Sequence, residues 1–232
     1  MRPHRHFQED LDKLKSTLVG MAGLAEEAVR SAVNALLTRD EKKAAEVVER
    51  DNAIDDLELE IEDQAINLLA LQQPMARDLR LIAMAMKISG DLERVGDHAV
   101  NIAEAVEWLV EAPPFPVIPE VEEMVRVATD MLADSLDAFV RGDTGLARDV
   151  VKCDDRVDEL HENNFRILLT HMMEDPRKIT AGMDLLLISG NLERIADLAT
   201  NISEDVVYLV EGRMIAHHAE ERRIESQAAS GQ

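Results

Sequence analysis

Residues 89–104 read SGDLERVGDHAVNIAE, and residues 189–204 read SGNLERIADLATNISE. Ten of these 16 positions are identical. A second pair of stretches also matches, VVERDNAIDDL at 47–57 and VVKCDDRVDEL at 150–160. Both pairs occur in the same order along the chain, and the strings are too specific to recur by chance. The sequence therefore predicts an internal duplication.

Helical periodicity extends outward from these strings in both directions. Turn signals at Asp40, Pro74, Gly142 and Pro176 divide the pattern into successive helices. The predicted helices cover 8–38, 41–71, 75–110, 119–141 and 144–173, followed by a sixth that ends near Glu211. Long helices joined by short turns pack antiparallel. We therefore predict an all-α protein of two tandem antiparallel three-helix bundles related by internal duplication.

A proline-rich stretch marks the predicted boundary between the two domains. The stretch EAPPFPVIP at 111–119 cannot be helical throughout and is typical of a linker. A first three-helix repeat is expected over 8–110 and a second over 120–212. The polar tail at 213–232 is expected to be flexible.

Composition and charge exclude several classes of protein. The chain has 232 residues, with 25 Lys and Arg against 47 Asp and Glu, which gives a formal charge of −22. Such a field repels nucleic-acid phosphates, so we expect no nucleic-acid partner. No apolar run approaches the length of a membrane span, and we expect no direct membrane insertion. The single cysteine, Cys153, excludes an intramolecular disulfide and fits a cytoplasmic location.

Four acidic pairs with a spacing of four residues occupy equivalent places in the two repeats. They are Asp51 and Asp55, Glu93 and Asp97, Asp154 and Asp158, and Glu193 and Asp197. In each half the two pairs are equidistant from the proline turn, so an antiparallel hairpin brings them level with each other. Four carboxylates at one height repel one another unless a cation lies between them. The pattern predicts one cation site in each repeat.

The ligand types indicate hard metal ions. Carboxylate oxygens suit Mg, Ca, Mn or Fe. No histidine occupies an equivalent position in both repeats, since His98 corresponds to Leu198 and His161 to Glu58. That argues against zinc and against a ferritin-like di-iron core. Helical angles place the carboxylates on the flank of each helix, so both sites are expected at the protein surface.

Other interpretations of the acids remain open at this point. An isolated acidic pair is usually a solvated charged face, and a coiled-coil spacer would give no cause for the duplication. The alternative function is a carboxylate-bridged metal enzyme, an oxidase or hydrolase. An enzyme needs a concave pocket and a tuned acid or base. The sequence instead offers surface carboxylates without a nucleophile, so we expect no catalysis.

The repeated strings, together with QQPMARDLRLI at 72–82, resemble the PhoU family over roughly residues 8–212. That resemblance implies a PhoU-like, spectrin-repeat-like fold with metal ions bound on the repeated acidic motifs. Carried over by position, the ligands are Asp51, Asp55, Glu93, Asp97, Asp154, Asp158, Glu193 and Asp197. The metal is expected to be divalent or trivalent (Mg, Mn, Fe or Zn), with its identity left open.

The resemblance also implies a function. It predicts a negative regulator of the phosphate-starvation response and of phosphate uptake. Such a protein acts as a metal-binding adaptor between the phosphate ABC transporter, through its ATPase, and a sensor histidine kinase. Whether the chain forms a homodimer is left open by the sequence. The sequence has no glycine-rich phosphate loop, so the phosphate signal is expected to arrive through a partner.

Overall fold

The computed structural model describes residues 3–72, 74–112, 115 and 118–215. Over these ranges the chain is helical, without a strand. The helices are α1 Pro3–Thr38, α2 Glu41–Arg50, α3 Asn52–Gln72, α4 Ala76–Glu111, α5 Pro119–Arg141, α6 Thr144–Glu174 and α7 Ile179–Glu211, with a 3-10 turn at Pro176–Lys178. Along the described part of the chain, no helix is long and apolar enough to cross a membrane.

Capping residues place the helix ends close to where the sequence predicts them. Asp40 accepts hydrogen bonds from two backbone amides of α2, and Asp143 does the same for α6. Gly142 and Gly212 follow α5 and α7 with φ of 64° and 69°, a left-handed conformation that glycine adopts without strain. These residues therefore fix the α1–α2 and α5–α6 turns and the end of α7.

The second predicted helix differs from the structure in one respect. The stretch expected to be continuous from Glu41 to Leu71 is interrupted at Asp51, which separates α2 from α3. There the Ile54 amide donates to the Asp51 carbonyl at 2.8 Å, a three-residue spacing typical of a local 3-10 turn. The equivalent helix of the second half, α6, is continuous through Asp154.

The helices form two layers. Neighbouring pairs place α3, α4, α7 and α6 in that order in one layer, while α1 packs on α3 and α4, and α5 packs on α6 and α7. With α2 and α3 counted as the one predicted helix that Asp51 interrupts, each half is a three-helix bundle, as predicted. One hydrophobic cluster contains Leu92 and Val95 of α4 together with Leu192 and Ile195 of α7. The two bundles therefore share a core through the α4–α7 contact.

The predicted domain division is only partly within the described residues. Residues 113, 114, 116 and 117 of the linker and 216–232 of the tail lie outside them. Phe115 and Ile118 lie inside, and Ile118 is buried against Val121 and Leu168. The division into repeat, linker, repeat and tail stays a prediction.

Candidate metal centre

In the first repeat, the carboxylate of Asp51 packs against the backbone of α4. A Cβ atom added at Gly96 would lie 3.0 Å from Asp51 Oδ1 and 3.0 Å from Ile54 Cδ1. A side chain at this position would force the carboxylate of Asp51 and the side chain of Ile54 to move by a few tenths of an ångström. The break between α2 and α3 and the glycine of α4 thus occur at the same level of the hairpin.

The four acids of this repeat lie close enough to influence one another's ionisation. Burial raises the pKa of Asp51, and the charges of Asp55 and Asp97 raise it further. Burial also raises the pKa of Glu93, with contributions from Asp97, Glu58 and Asp55 that Arg94 opposes. The structure therefore brings Asp51, Asp55, Glu93 and Asp97 together across α3 and α4, as the position of the turn predicts.

Glu58 is a fifth member that the sequence reasoning missed. Its pKa is raised by burial and by Glu62, Asp55 and Asp97. Its Oε1 would lie 3.5 Å from a Cβ added at Gly90 of α4. The second repeat has His161 at this position, so Glu58 is not one of the duplicated acids. The available signal was its place one turn after Asp55 on the same helix face.

The second repeat arranges its acids differently. The Thr200 hydroxyl donates to Asp154 Oδ1 at 3.2 Å, which joins α6 to α7. Burial raises the pKa of Asp197, against the opposing charge of Arg194, and Asp158 raises it further. Asp158 and Asp197 therefore face each other across the hairpin. Arg194 Nη1 lies 3.3 Å from Asp197 Oδ2, and Arg194 Nε lies 3.9 Å from Glu193 Oε2.

One expectation about this cluster is wrong. All eight candidate ligands were expected at the surface, but Asp154 is only 7% exposed. Asp154 faces α7, where the hydroxyl of Thr200 donates to its carboxylate and compensates for its burial. The other seven acids are half-buried or exposed.

The two repeats also contact each other near the second cluster, which consists of Asp154, Asp158, Glu193 and Asp197. His98 Nδ1 of α4 lies 2.8 Å from Asn191 Oδ1 of α7, and the charge of His98 lowers the pKa of Asp197. Sequence comparison set His98 aside because Leu198 replaces it in the second repeat. The packing of α4 on α7 instead places this first-repeat histidine next to second-repeat acids.

The candidate ligands suit hard cations, because every one of them supplies carboxylate oxygens. In the described part of the chain, no three His, Cys, Asp or Glu side chains are gathered closely enough to hold a metal ion as they stand. Side-chain rotation would be needed to converge them. Metal binding at these eight residues stays a prediction.

A cleft of about 430 Å³ between α1 and α2 adjoins Asp51. Its basic residues already have acidic or amide partners. Arg50 Nη1 lies 3.4 Å from Glu27 Oε1, and Lys43 donates to Asn34 Oδ1 at 2.6 Å. The cleft therefore gives solvent a route to Asp51 without an unpaired cation at its wall.

Comparison with known proteins identifies the family. The PhoU domain model matches residues 18–106 and again residues 121–206, one match in each half of the chain. This chain belongs to the PhoU family. The family predicted from the repeated strings is thus confirmed.

Relatives and solved structures agree with this assignment. The chain is 44% identical to a phosphate-specific transport system accessory protein PhoU homolog of Zymomonas mobilis, over 90% of this chain and 88% of that protein. A homolog of the same description from Clostridium acetobutylicum is 40% identical, over 90% and 96%.

Two crystal structures share the PhoU fold. PhoU from Pseudomonas aeruginosa superposes with a TM-score of 0.87 and 40% identity, covering 89% of this chain and 100% of that one. The phosphate transport system regulatory protein PhoU from Streptococcus pneumoniae gives 0.82 and 31%, covering 90% and 99%. The predicted all-α fold is confirmed.

Proposed function

We propose that this chain is an accessory protein of phosphate-specific transport that regulates without catalysis. It lowers phosphate uptake and represses the phosphate-starvation response when phosphate is plentiful. Support comes from the names of relatives that are about 40% identical over nine-tenths of the chain. It acts in the cytoplasm as an adaptor between the ATPase of the phosphate ABC transporter and a sensor histidine kinase.

We call Asp51, Asp55, Glu58, Glu93 and Asp97 the first cluster. The metal part of this proposal is carried by the repulsion between their carboxylates. Asp51, Glu58 and Glu93 all have raised pKa values that include contributions from neighbouring carboxylates. A cation between them would offset this repulsion. We infer that metal ions on the two clusters neutralise the surface and shape it for docking.

Deletion of the gene, followed by complementation, tests the regulatory role. A strain without this gene should express a phosphate-starvation reporter in phosphate-rich medium, and the wild-type gene should restore repression. The transporter ATPase and the kinase should co-purify with the tagged chain. An unchanged reporter in the deletion strain would refute the regulatory role. Dioxygen turnover by the iron-loaded protein would refute the non-catalytic role.

A further inference from the structure

Arginines without a carboxylate partner lie at one end of the molecule, where α4 begins and α7 ends. We call Arg77, Arg80 and Arg213 the arginine patch. Within the described part of the chain, none of the three makes an ion pair or a side-chain hydrogen bond. Every other arginine whose side chain is described pairs with a carboxylate, except Arg39, which donates to two backbone carbonyls. This acidic protein therefore leaves arginine charge unused at one place.

Packing against the end of α7 holds Arg80 in position. A Cβ atom added at Gly212 would lie 2.6 Å from Arg80 Nη1, so the guanidinium lies directly on the backbone there. Arg77 is exposed one turn earlier on the same face of α4, with its Cβ about 5–6 Å away. Arg213 is exposed and follows Gly212 directly. The C-terminal dipole of α7 favours Arg80 at this place, but it does not explain why Arg77 is left unpaired.

Neighbouring acids do not neutralise the arginine patch. Arg148 donates to both carboxylate oxygens of Glu211, at 3.0 and 2.8 Å. The pKa of Glu211 is lowered chiefly by that bond from Arg148, with a smaller contribution from the charge of Arg213. Asp78 lies about 100° around α4 from Arg77, on another face of the helix. The charge of the patch is therefore available to a ligand.

The second repeat neutralises the arginine that corresponds to Arg77. Arg177 Nε and Nη2 donate to the two carboxylate oxygens of Asp175, each at 3.0 Å. The residue of the first repeat that corresponds to Asp175 is Met75, and Thr180 corresponds to Arg80. A helical hairpin of this fold therefore does not need an unpaired arginine at its turn.

Exposed apolar side chains border the arginine patch. Met75 and Leu79 lie at the start of α4 and are 79% and 45% exposed, and Met214, next to Arg213, is 81% exposed. Arginine and methionine are enriched in protein–protein interfaces, where lysine and glutamate are depleted. The mixture at this end therefore suits contact with a protein segment rather than with a small ion.

We propose that the arginine patch docks an acidic segment of a partner protein, whose carboxylates pair with the three arginines and whose apolar residues cover Met75 and Met214. The unpaired arginine charge selects this occupant, because guanidinium groups bind carboxylates in bidentate geometry. A second copy docked patch to patch by twofold symmetry would bring arginine against arginine. An anionic membrane would be repelled by the rest of a chain with charge −22. The proposal rests on the adaptor role proposed above and assigns it a surface.

Peptide binding to the full-length protein tests this surface. The probe is a labelled 14-residue peptide with two central leucines and two glutamates on each side of them. A second peptide has glutamine in place of each glutamate. Anisotropy is titrated in chelated buffer, so that no metal ion on the acidic clusters can bind the peptide carboxylates.

Substitutions at exposed arginines give a matched comparison. The patch variant combines Arg77→Glu with Arg213→Glu and leaves the packed Arg80 in place. The control combines Arg126→Glu with Arg166→Glu, two exposed arginines of the second repeat, and changes the net charge equally. We expect the patch variant to raise the Kd of the glutamate peptide at least about tenfold and the control to change it less than about twofold. The glutamine peptide should bind wild type at least about tenfold more weakly than the glutamate peptide.

Several outcomes would overturn the proposal. One is equal weakening by the patch and control variants, and another is equal binding of the two peptides. A third is a wild-type dimer that the patch variant converts to a monomer in light scattering, with no change in peptide affinity. A fourth is flotation with phosphatidylglycerol vesicles that depends on the patch. Circular dichroism of both variants checks that they fold.

Co-purification separates this proposal from the adaptor role. If the patch variant still co-purifies with the transporter ATPase and the kinase, the docking surface is wrong and the adaptor role stands. If wild type does not co-purify with either, the adaptor role itself is wrong, and the peptide titrations alone decide whether the patch binds acidic segments.

Discussion

At the scale of single residues, the repeats differ at a buried carboxyl group on α4. Asp91 is 3% exposed on α4, and its counterpart in the second repeat is Asn191. Burial raises the pKa of Asp91 to about 6, with Arg94 opposing and Asp205 adding to the shift. Lys87 donates to Asp205 at 2.7 Å across the α4–α7 contact. The contact between the repeats thus contains two buried acids.

The raised pKa of Asp91 predicts a pH-dependent stability. Between about pH 4 and pH 6 the folded protein holds a proton that the unfolded chain has lost, so the free energy of unfolding falls as pH rises. Moving the pKa from 3.8 to about 6 corresponds to at most about 3 kcal/mol. Asp91→Asn should therefore stabilise the protein at pH 8 more than at pH 4.5, measured by urea unfolding in chelated buffer. Equal effects at the two pH values would contradict this.

Thr200 should stabilise the second repeat through Asp154. Thr200→Val removes the hydroxyl that donates to a buried carboxylate, and we expect a loss of about 1–3 kcal/mol in the free energy of unfolding. The control is Thr129→Val, because the Thr129 hydroxyl bonds only the Val125 carbonyl of its own helix among the hydrogen bonds described. Chemical denaturation of both variants measures the difference. A loss no larger than that of the control would show that the hydrogen bond from Thr200 to Asp154 does not stabilise the protein.

At the scale of elements, local chemistry determines the helix ends. Asp40 and Asp143 each cap a helix through two backbone amides. Asp40→Ala and Asp143→Ala should each lower the free energy of unfolding by about 1 kcal/mol. The two losses should add in the double variant because the caps belong to different repeats. Thermal unfolding of the three variants checks this, and no loss in either single variant would contradict it.

The sequence predicts the helices well because caps, glycines and prolines act locally. It also predicts that Asp51 faces Asp97, because the turn proline fixes the hairpin register. It does not predict the break at Asp51, where the missing side chain of Gly96 lets the carboxylate approach α4. That contact joins residues 45 positions apart, and no local pattern encodes it.

At the scale of the whole molecule, the packing of α4 on α7 unites the two repeats. Duplication predicts two bundles but not which helices join them. The contacts of His98 with Asn191 and of Lys87 with Asp205 arise only from that packing. For this reason sequence reasoning placed neither His98 nor Asp205 beside the acids of the other repeat.

A shared core predicts that the repeats unfold together. The single tryptophan, Trp108, reports on the first repeat, while circular dichroism reports on all helices. Urea transitions followed by the two signals should coincide, because separating the repeats would expose the apolar residues of α4 and α7. Two separate transitions would show that the bundles are independent.

Metal content measured by elemental analysis shows whether the two acidic clusters hold metal ions. The first-cluster variant combines Asp51→Asn, Asp55→Asn, Glu93→Gln and Asp97→Asn, and the second makes the equivalent changes at Asp154, Asp158, Glu193 and Asp197. The charge-matched control combines Asp10→Asn, Asp12→Asn, Glu49→Gln and Asp63→Asn, all exposed residues.

We expect each cluster variant to lose the metal of its own repeat, about half of the total, and the control to keep the wild-type content. Wild-type metal content in both cluster variants would show that these eight acids are not the metal ligands.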